Sequence, residues 1–136
     1  MELHKSSKDF QLDKKTFVNL RWIAHSGQLF AIGIVKFLLN FQFPQYSYCL
    51  IIVVLGILTN LFLQFKVKEN RLGNFQSSIY LAYDIIQLGV LIYLTGGITN
   101  PFIFLLIIPS VFSSKYLNLW SSIFLGFLTI FILILL

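Results

Sequence analysis

Residues 95–102, Thr-Gly-Gly-Ile-Thr-Asn-Pro-Phe, form a short polar turn between two apolar runs, and their types admit two chemistries. Gly96 and Gly97 have the backbone freedom to end a helix in a left-handed cap. Asn100 suits the N-cap of a following helix, with Pro101 at its first position, where a missing N–H costs nothing. On this reading the segment is only a helix–turn–helix. The second reading uses the same groups as a binding site. A helix N-terminus, the Asn100 amide and a wall of Tyr93, Phe102 and Phe104 would suit a planar, membrane-soluble ring bearing hydrogen-bond acceptors, as a quinone does.

The second chemistry-bearing group is Asp84. Tyr80, Asp84, Gln87 and Leu91 follow i, i+4, i+7, i+11, so three polar side chains share one helix face. An acid inside an apolar span is costly and is expected to face other helices, paired or protonated. His25 and Gln28 are the expected partners, at similar depth in the first span. The arrangement serves either as a polar clamp between helices or as a protonatable switch. His25 has no Cys, Asp or Glu at ligand spacing, and no metal site is expected. Cys49 is a lone thiol and is read as a packing residue.

The elements that must position these groups follow from composition. Of 136 residues, 57% are hydrophobic and 11% charged, against roughly 25% charged in soluble domains. The pattern predicts an all-α, polytopic membrane helix bundle. Residues 1–16 form a polar N-terminal tail without a signal-peptide core, and residues 17–136 the membrane domain. Five spans are expected, at about 18–39, 46–65, 77–95, 101–115 and 117–136. A cytoplasmic N-terminus would then leave Leu136 outside with no polar anchor, so a sixth span is expected beyond it.

Nine of the ten basic residues (Lys5, Lys8, Lys14, Lys15, Arg21, Lys66, Lys68, Arg71 and Lys115) fall on one side of that arrangement. The positive-inside rule makes that side the cytoplasm and puts the polar turn near the outer surface. Lys36, the tenth, is expected to snorkel to the outer headgroups. The net charge of +5 is accounted for by anionic lipid on the inner leaflet, and no nucleic-acid partner is expected. If the fourth span is all α-helix, residues 101–114 cover roughly 21 Å, short of a hydrocarbon core of about 30 Å. That shortfall favours a turn that dips into the membrane, with Pro109 kinking the fourth helix around a cavity.

The segment Asp84-Ile-Ile-Gln87-Leu88, followed by Tyr93-Leu-Thr-Gly96-Gly97-Ile-Thr-Asn100-Pro101-Phe102, resembles the membrane domain of RegB/PrrB-type redox-sensing histidine kinases. Leu20-Arg21-Trp22 and Gly27-Gln28 resemble the start of that family's first span. The resemblance implies six spans in the bacterial inner membrane, with ubiquinone or a related quinone bound near the Gly-Gly-x-x-Asn-Pro-Phe heptapeptide. It implies a homodimer whose cytoplasmic part uses ATP to phosphorylate its own histidine and then passes the phosphate to a response regulator. Gly96, Gly97, Asn100, Pro101 and Phe102 would form the quinone site, with Tyr93, Asp84, Gln87 and His25 behind it. The phosphoacceptor and ATP-binding regions are absent from these 136 residues, so no catalytic residue is expected among them. Two other classes remain open: a small transporter or channel subunit with Asp84 in a proton path, and a purely structural membrane anchor.

Overall fold

A computed structural model describes residues 12–40 and 42–136; Lys5 and Lys8 of the expected tail lie outside the described residues. The described residues are all-α apart from one antiparallel pair of two-residue strands, β1 (Leu12–Asp13) and β2 (Arg71–Leu72). It divides into two bodies, Lys15–Lys68 and residues 12–14 joined to Glu69–Leu136.

The first body is a helical hairpin. Helix α1 (Lys14–Gly33) passes into a π-helical turn at Ile34–Leu38, and Asn40 then takes a left-handed φ of 48°, a conformation asparagine tolerates better than most side chains. The chain restarts as α2 (Tyr46–Lys66). Lys36 lies in the π turn with its ammonium 3.4 Å from the centre of the Tyr46 ring, which Phe43 meets edge-on at 5.8 Å. The cation that the sequence sent to the headgroups is thus held on an aromatic face.

Polar groups join the two helices near their other ends. Arg21 Nη2 donates to Thr59 Oγ1 at 2.9 Å, Asn60 Nδ2 to the Val18 carbonyl at 3.3 Å, and Trp22 Nε1 to Gln64 Oε1 at 3.2 Å. Thr59 passes its own proton to the Gly56 carbonyl at 2.7 Å. These directional bonds tie α1 to α2.

The second body carries the polar turn. Helix α3 (Asn74–Leu94) leads into it; a 3₁₀ segment (Pro101–Leu106) and α4 (Ile107–Tyr116) lead away; α5 (Leu119–Leu135) returns. The predicted fourth span is therefore two kinds of helix. Pro109 has no N–H for the Leu105 carbonyl and its ring crowds that carbonyl, so α-helix cannot extend back through this point. The tighter 3₁₀ winding takes over and rises faster. Together the two parts reach roughly 27 Å by their standard rises; about half of the gain comes from the 3₁₀ rise and half from the helix running on to Tyr116, so the shortfall behind the dipping turn largely disappears.

Helices α3 and α5 run parallel and touch along their length. At one end Asn74 Nδ2 donates to Ser121 Oγ at 2.6 Å while its Oδ1 accepts from the Asn118 N–H at 2.8 Å. Asn118 in turn caps α5 by accepting from Ser121 N at 2.9 Å. Further along, a Cβ added to Gly89 would lie 2.6 Å from Ile132 Cγ2, so the Ile132 branch sits where any other residue would put a side chain. Helices α4 and α5 close up through small residues: Ser122 Oγ donates to the Ser113 carbonyl at 3.0 Å, and Gly126 faces Ser110. Leu81, Ile85, Ile92, Leu106 and Leu125 fill the space between.

Two described helices, α2 and α3, are long and apolar enough to cross a membrane, and Pro101–Tyr116 and Leu119–Leu135 are shorter apolar helices. Helix α1, expected as the first span, falls outside the first group: Lys14, Lys15, Arg21, His25 and Gln28 dilute its apolar character.

Candidate functional site

The polar turn is built from its own residues. Helix α3 ends where the Thr95 hydroxyl donates to the Leu91 carbonyl at 2.7 Å, a back-bond typical of threonine in a last turn. Gly96 follows at φ 129° and Gly97 at φ 61°. The second value is the left-handed region expected of a helix cap; the first lies in territory that side chains avoid. A short 3₁₀ turn over Gly97–Thr99 is fastened by Thr99 Oγ1 donating to the Gly96 carbonyl at 2.8 Å.

Asn100 is the keystone of the turn and is buried. Its Nδ2 donates to Thr95 Oγ1 at 2.6 Å and to the Thr95 carbonyl at 3.3 Å, while its Oδ1 accepts from the Phe102 N–H at 2.8 Å. The N-cap role read from sequence is present, with Pro101 at the first helical position. The structure departs from the ligand-binding reading in one respect. Both amide hydrogens that were to face a ligand are spent on Thr95, which sequence reasoning did not select. The signal was available in a threonine five residues before a capping asparagine, but only the closed turn makes that spacing meaningful.

Around this polar centre the large side chains point outward. Tyr93 is 66% exposed, Phe102 50% and Phe104 59%, with Ile98 beside them at 68%. A Cβ added to Gly97 would lie at ordinary contact distance, 3.4 Å, from the Leu136 carbonyl oxygen.

The remaining predicted residues divide between the two bodies. On α3, Gln87 and Leu91 are buried while Tyr80 and Asp84 are half-buried, so the predicted face does turn inward. On α1, His25 is buried and its Nδ1 lies 3.3 Å from Gln28 Oε1. That contact joins residues one turn apart within α1. Cys49 is buried, as expected of a packing residue. No group of three or more metal-ligating side chains occurs among the described residues. An open apolar concavity of about 790 Å³ belongs to α1 and its π turn, lined by residues including Ser26, Phe30, Gly33 and Phe37, and contains none of the turn residues.

No protein-family model and no solved structure matches the chain. Two curated relatives do, both described as sensor histidine kinase RegB and both from Cereibacter sphaeroides. One is 35% identical over 117 residues, covering 85% of this chain and 25% of the relative. The other, from a specified strain of that species, is 33% identical over 87 residues, covering 63% and 19%. The chain spans about a quarter of the length of the curated relatives it matches. By sequence it belongs to the RegB type of sensor histidine kinases, as their N-terminal region.

Proposed function

We propose that this chain is the membrane-embedded sensory region of a histidine kinase and that residues 96–102 respond to quinone. Five helices cross the bacterial inner membrane with the N-terminus on the cytoplasmic side, so the turn faces outward. The asymmetric basic residues and the apolar helices support that topology. On this reading the whole protein is a homodimer that phosphorylates its own histidine with ATP and passes the phosphate to a response regulator.

The observation that supports the quinone reading is the set of exposed rings at Tyr93, Phe102 and Phe104 around the polar turn. Aromatic rings suit a planar head group, and Phe102 directly follows the polar turn. Asn100 acts by positioning: it ties Thr95 to Phe102 N and so fixes where the Phe102 ring begins. Quinone carbonyls accept hydrogen bonds whereas the hydroxyls of the reduced form donate them. The two forms would therefore favour different packings of α3 against the 3₁₀ segment, and only that difference in affinity can shift the population. Asp84 and Gln87, on the helix that leads into the turn, are the switch residues of this reading.

The competing reading, a turn without a ligand, is favoured by the complete use of the Asn100 amide within the turn. Titration of the chain in nanodiscs with a short-tailed ubiquinone separates the two. Phe102→Ala should weaken binding roughly threefold to tenfold, the worth of one aromatic contact, whereas Phe62→Ala on exposed α2 surface should leave it unchanged. Equal binding by wild type and Phe102→Ala would remove the ring from the site; no saturable binding at all would leave the turn a turn.

A further inference from the structure

From Ile85 to Leu136 the chain carries one charged residue, Lys115, and no acid. Lys115 is exposed at the connection between α4 and α5, with its ammonium 5.3 Å from the centre of the Tyr116 ring. Elsewhere at this end of the body charges are matched, Arg71 standing opposite Asp13 across the strand pair. Lys115 has no acid in its own stretch to answer it. The same end carries the two most exposed large apolar side chains of the described residues, Trp120 at 80% and Phe75 at 78%. Each is the second residue of its helix, and Asn74 sets them level. It holds the Asn118 N–H and the Ser121 hydroxyl, which bracket the exposed Leu119 and Trp120.

We infer that the α4–α5 connection, with Lys115 and Trp120, is a seat for the phosphate of an anionic phospholipid in the inner leaflet. An indole is best placed at headgroup depth, where its ring meets hydrocarbon and its N–H meets water. That puts residue 120 at the level of the phosphates, and Tyr116 adds a second ring with a polar tip. A cation at this level with no neighbouring acid favours an anionic lipid of the cytoplasmic leaflet over a zwitterionic one. A phosphate ion in water meets the same ammonium, but only a lipid brings acyl chains to cover Phe75, Leu119 and Trp120. The inference rests on the membrane topology proposed above and is independent of quinone.

The test uses the full chain in nanodiscs, with Trp22→Phe so that Trp120 is the sole tryptophan. The discs hold equimolar phosphatidylglycerol and phosphatidylcholine, with the quenching bromines on one lipid or on the other. Brominated phosphatidylglycerol should quench Trp120 more, equivalent to an enrichment of up to about fivefold, the worth of one cation at an anionic leaflet. Lys115→Gln should bring the two lipids to parity, Lys115→Arg should keep the difference, and high salt should reduce it. A reporter moved along α5 to an exposed position, by Trp120→Phe with Phe131→Trp, should see both lipids equally. Parity with Lys115 in place, a preference unchanged by Lys115→Gln, or an equal preference at residue 131 overturns the seat while leaving the helices in the membrane. Quenching by neither lipid overturns the membrane topology along with it. No quinone is present, so the titration of the turn stands apart.

Discussion

Gly89 of α3 and Ile132 of α5 occupy one shared volume: the Ile132 Cγ2 atom lies 2.6 Å from where a β-carbon on residue 89 would stand. Parallel helices in a membrane gain most from this kind of interlock, because small residues let backbones approach and dispersion replaces the hydrophobic drive. Gly89→Val should therefore destabilise the second body by about 1–3 kcal/mol through overpacking, read as a lower midpoint in denaturing-detergent titration. Adding Ile132→Ala to Gly89→Val should recover part of the loss. Independent, additive effects of the two changes would show that the residues do not share that space.

Gly96 and Gly97 differ in how much they tolerate. At φ 61° Gly97 is in the left-handed well that asparagine also enters, whereas Gly96 at φ 129° is outside it. Gly96→Ala should cost about 1–3 kcal/mol of backbone strain, and Gly97→Asn distinctly less. Thermal unfolding in bicelles ranks the two, and a reversed order would contradict the assigned backbone.

Asn100 and Thr95 should behave as one unit. Asn100→Ala removes an N-cap, worth about 0.5–2 kcal/mol, and leaves the Thr95 hydroxyl without its donor. Thr95→Val removes the acceptor and the back-bond to Leu91 together. The double variant should cost clearly less than the sum of the singles, as expected for groups in one hydrogen-bonded network. Limited proteolysis at the turn, measured alongside the detergent midpoint, separates local opening from loss of the whole body.

At the α1–α2 connection the Lys36 ammonium stands over the Tyr46 ring at 3.4 Å. Tyr46→Phe keeps the ring face and should be nearly silent. Tyr46→Leu should cost about 0.5–2 kcal/mol, the range for a cation–π contact between exposed and desolvated limits. The same Leu substitution in a Lys36→Met chain should cost less. A Tyr46→Leu effect that persists without the lysine would assign the loss to ring packing with Phe43.

What the sequence determined by itself is mostly local. Apolar runs set the helices within a few residues, because helix formation answers to neighbours three and four positions away. The two glycines and the Asn-Pro pair specified the turn, because positive φ and helix capping are decided within one or two residues. The 3₁₀ form of Pro101–Leu106 was less legible: it depends on a proline eight positions beyond the start, and with the extension to Tyr116 it lengthened a span that a shorter all-α count made too short.

Tertiary structure alone decided which helices run side by side. Nothing in the apolar pattern says that α5 lies parallel to α3, that Asn74 reaches Asn118 and Ser121, or that Gly89 is the notch for Ile132. In lipid, every helix face is acceptable to the solvent, so hydrophobicity does not select a partner; shape and a few directional bonds do. The same holds within the turn. The sequence supplied an asparagine with donors to spare, and the fold turned them to Thr95.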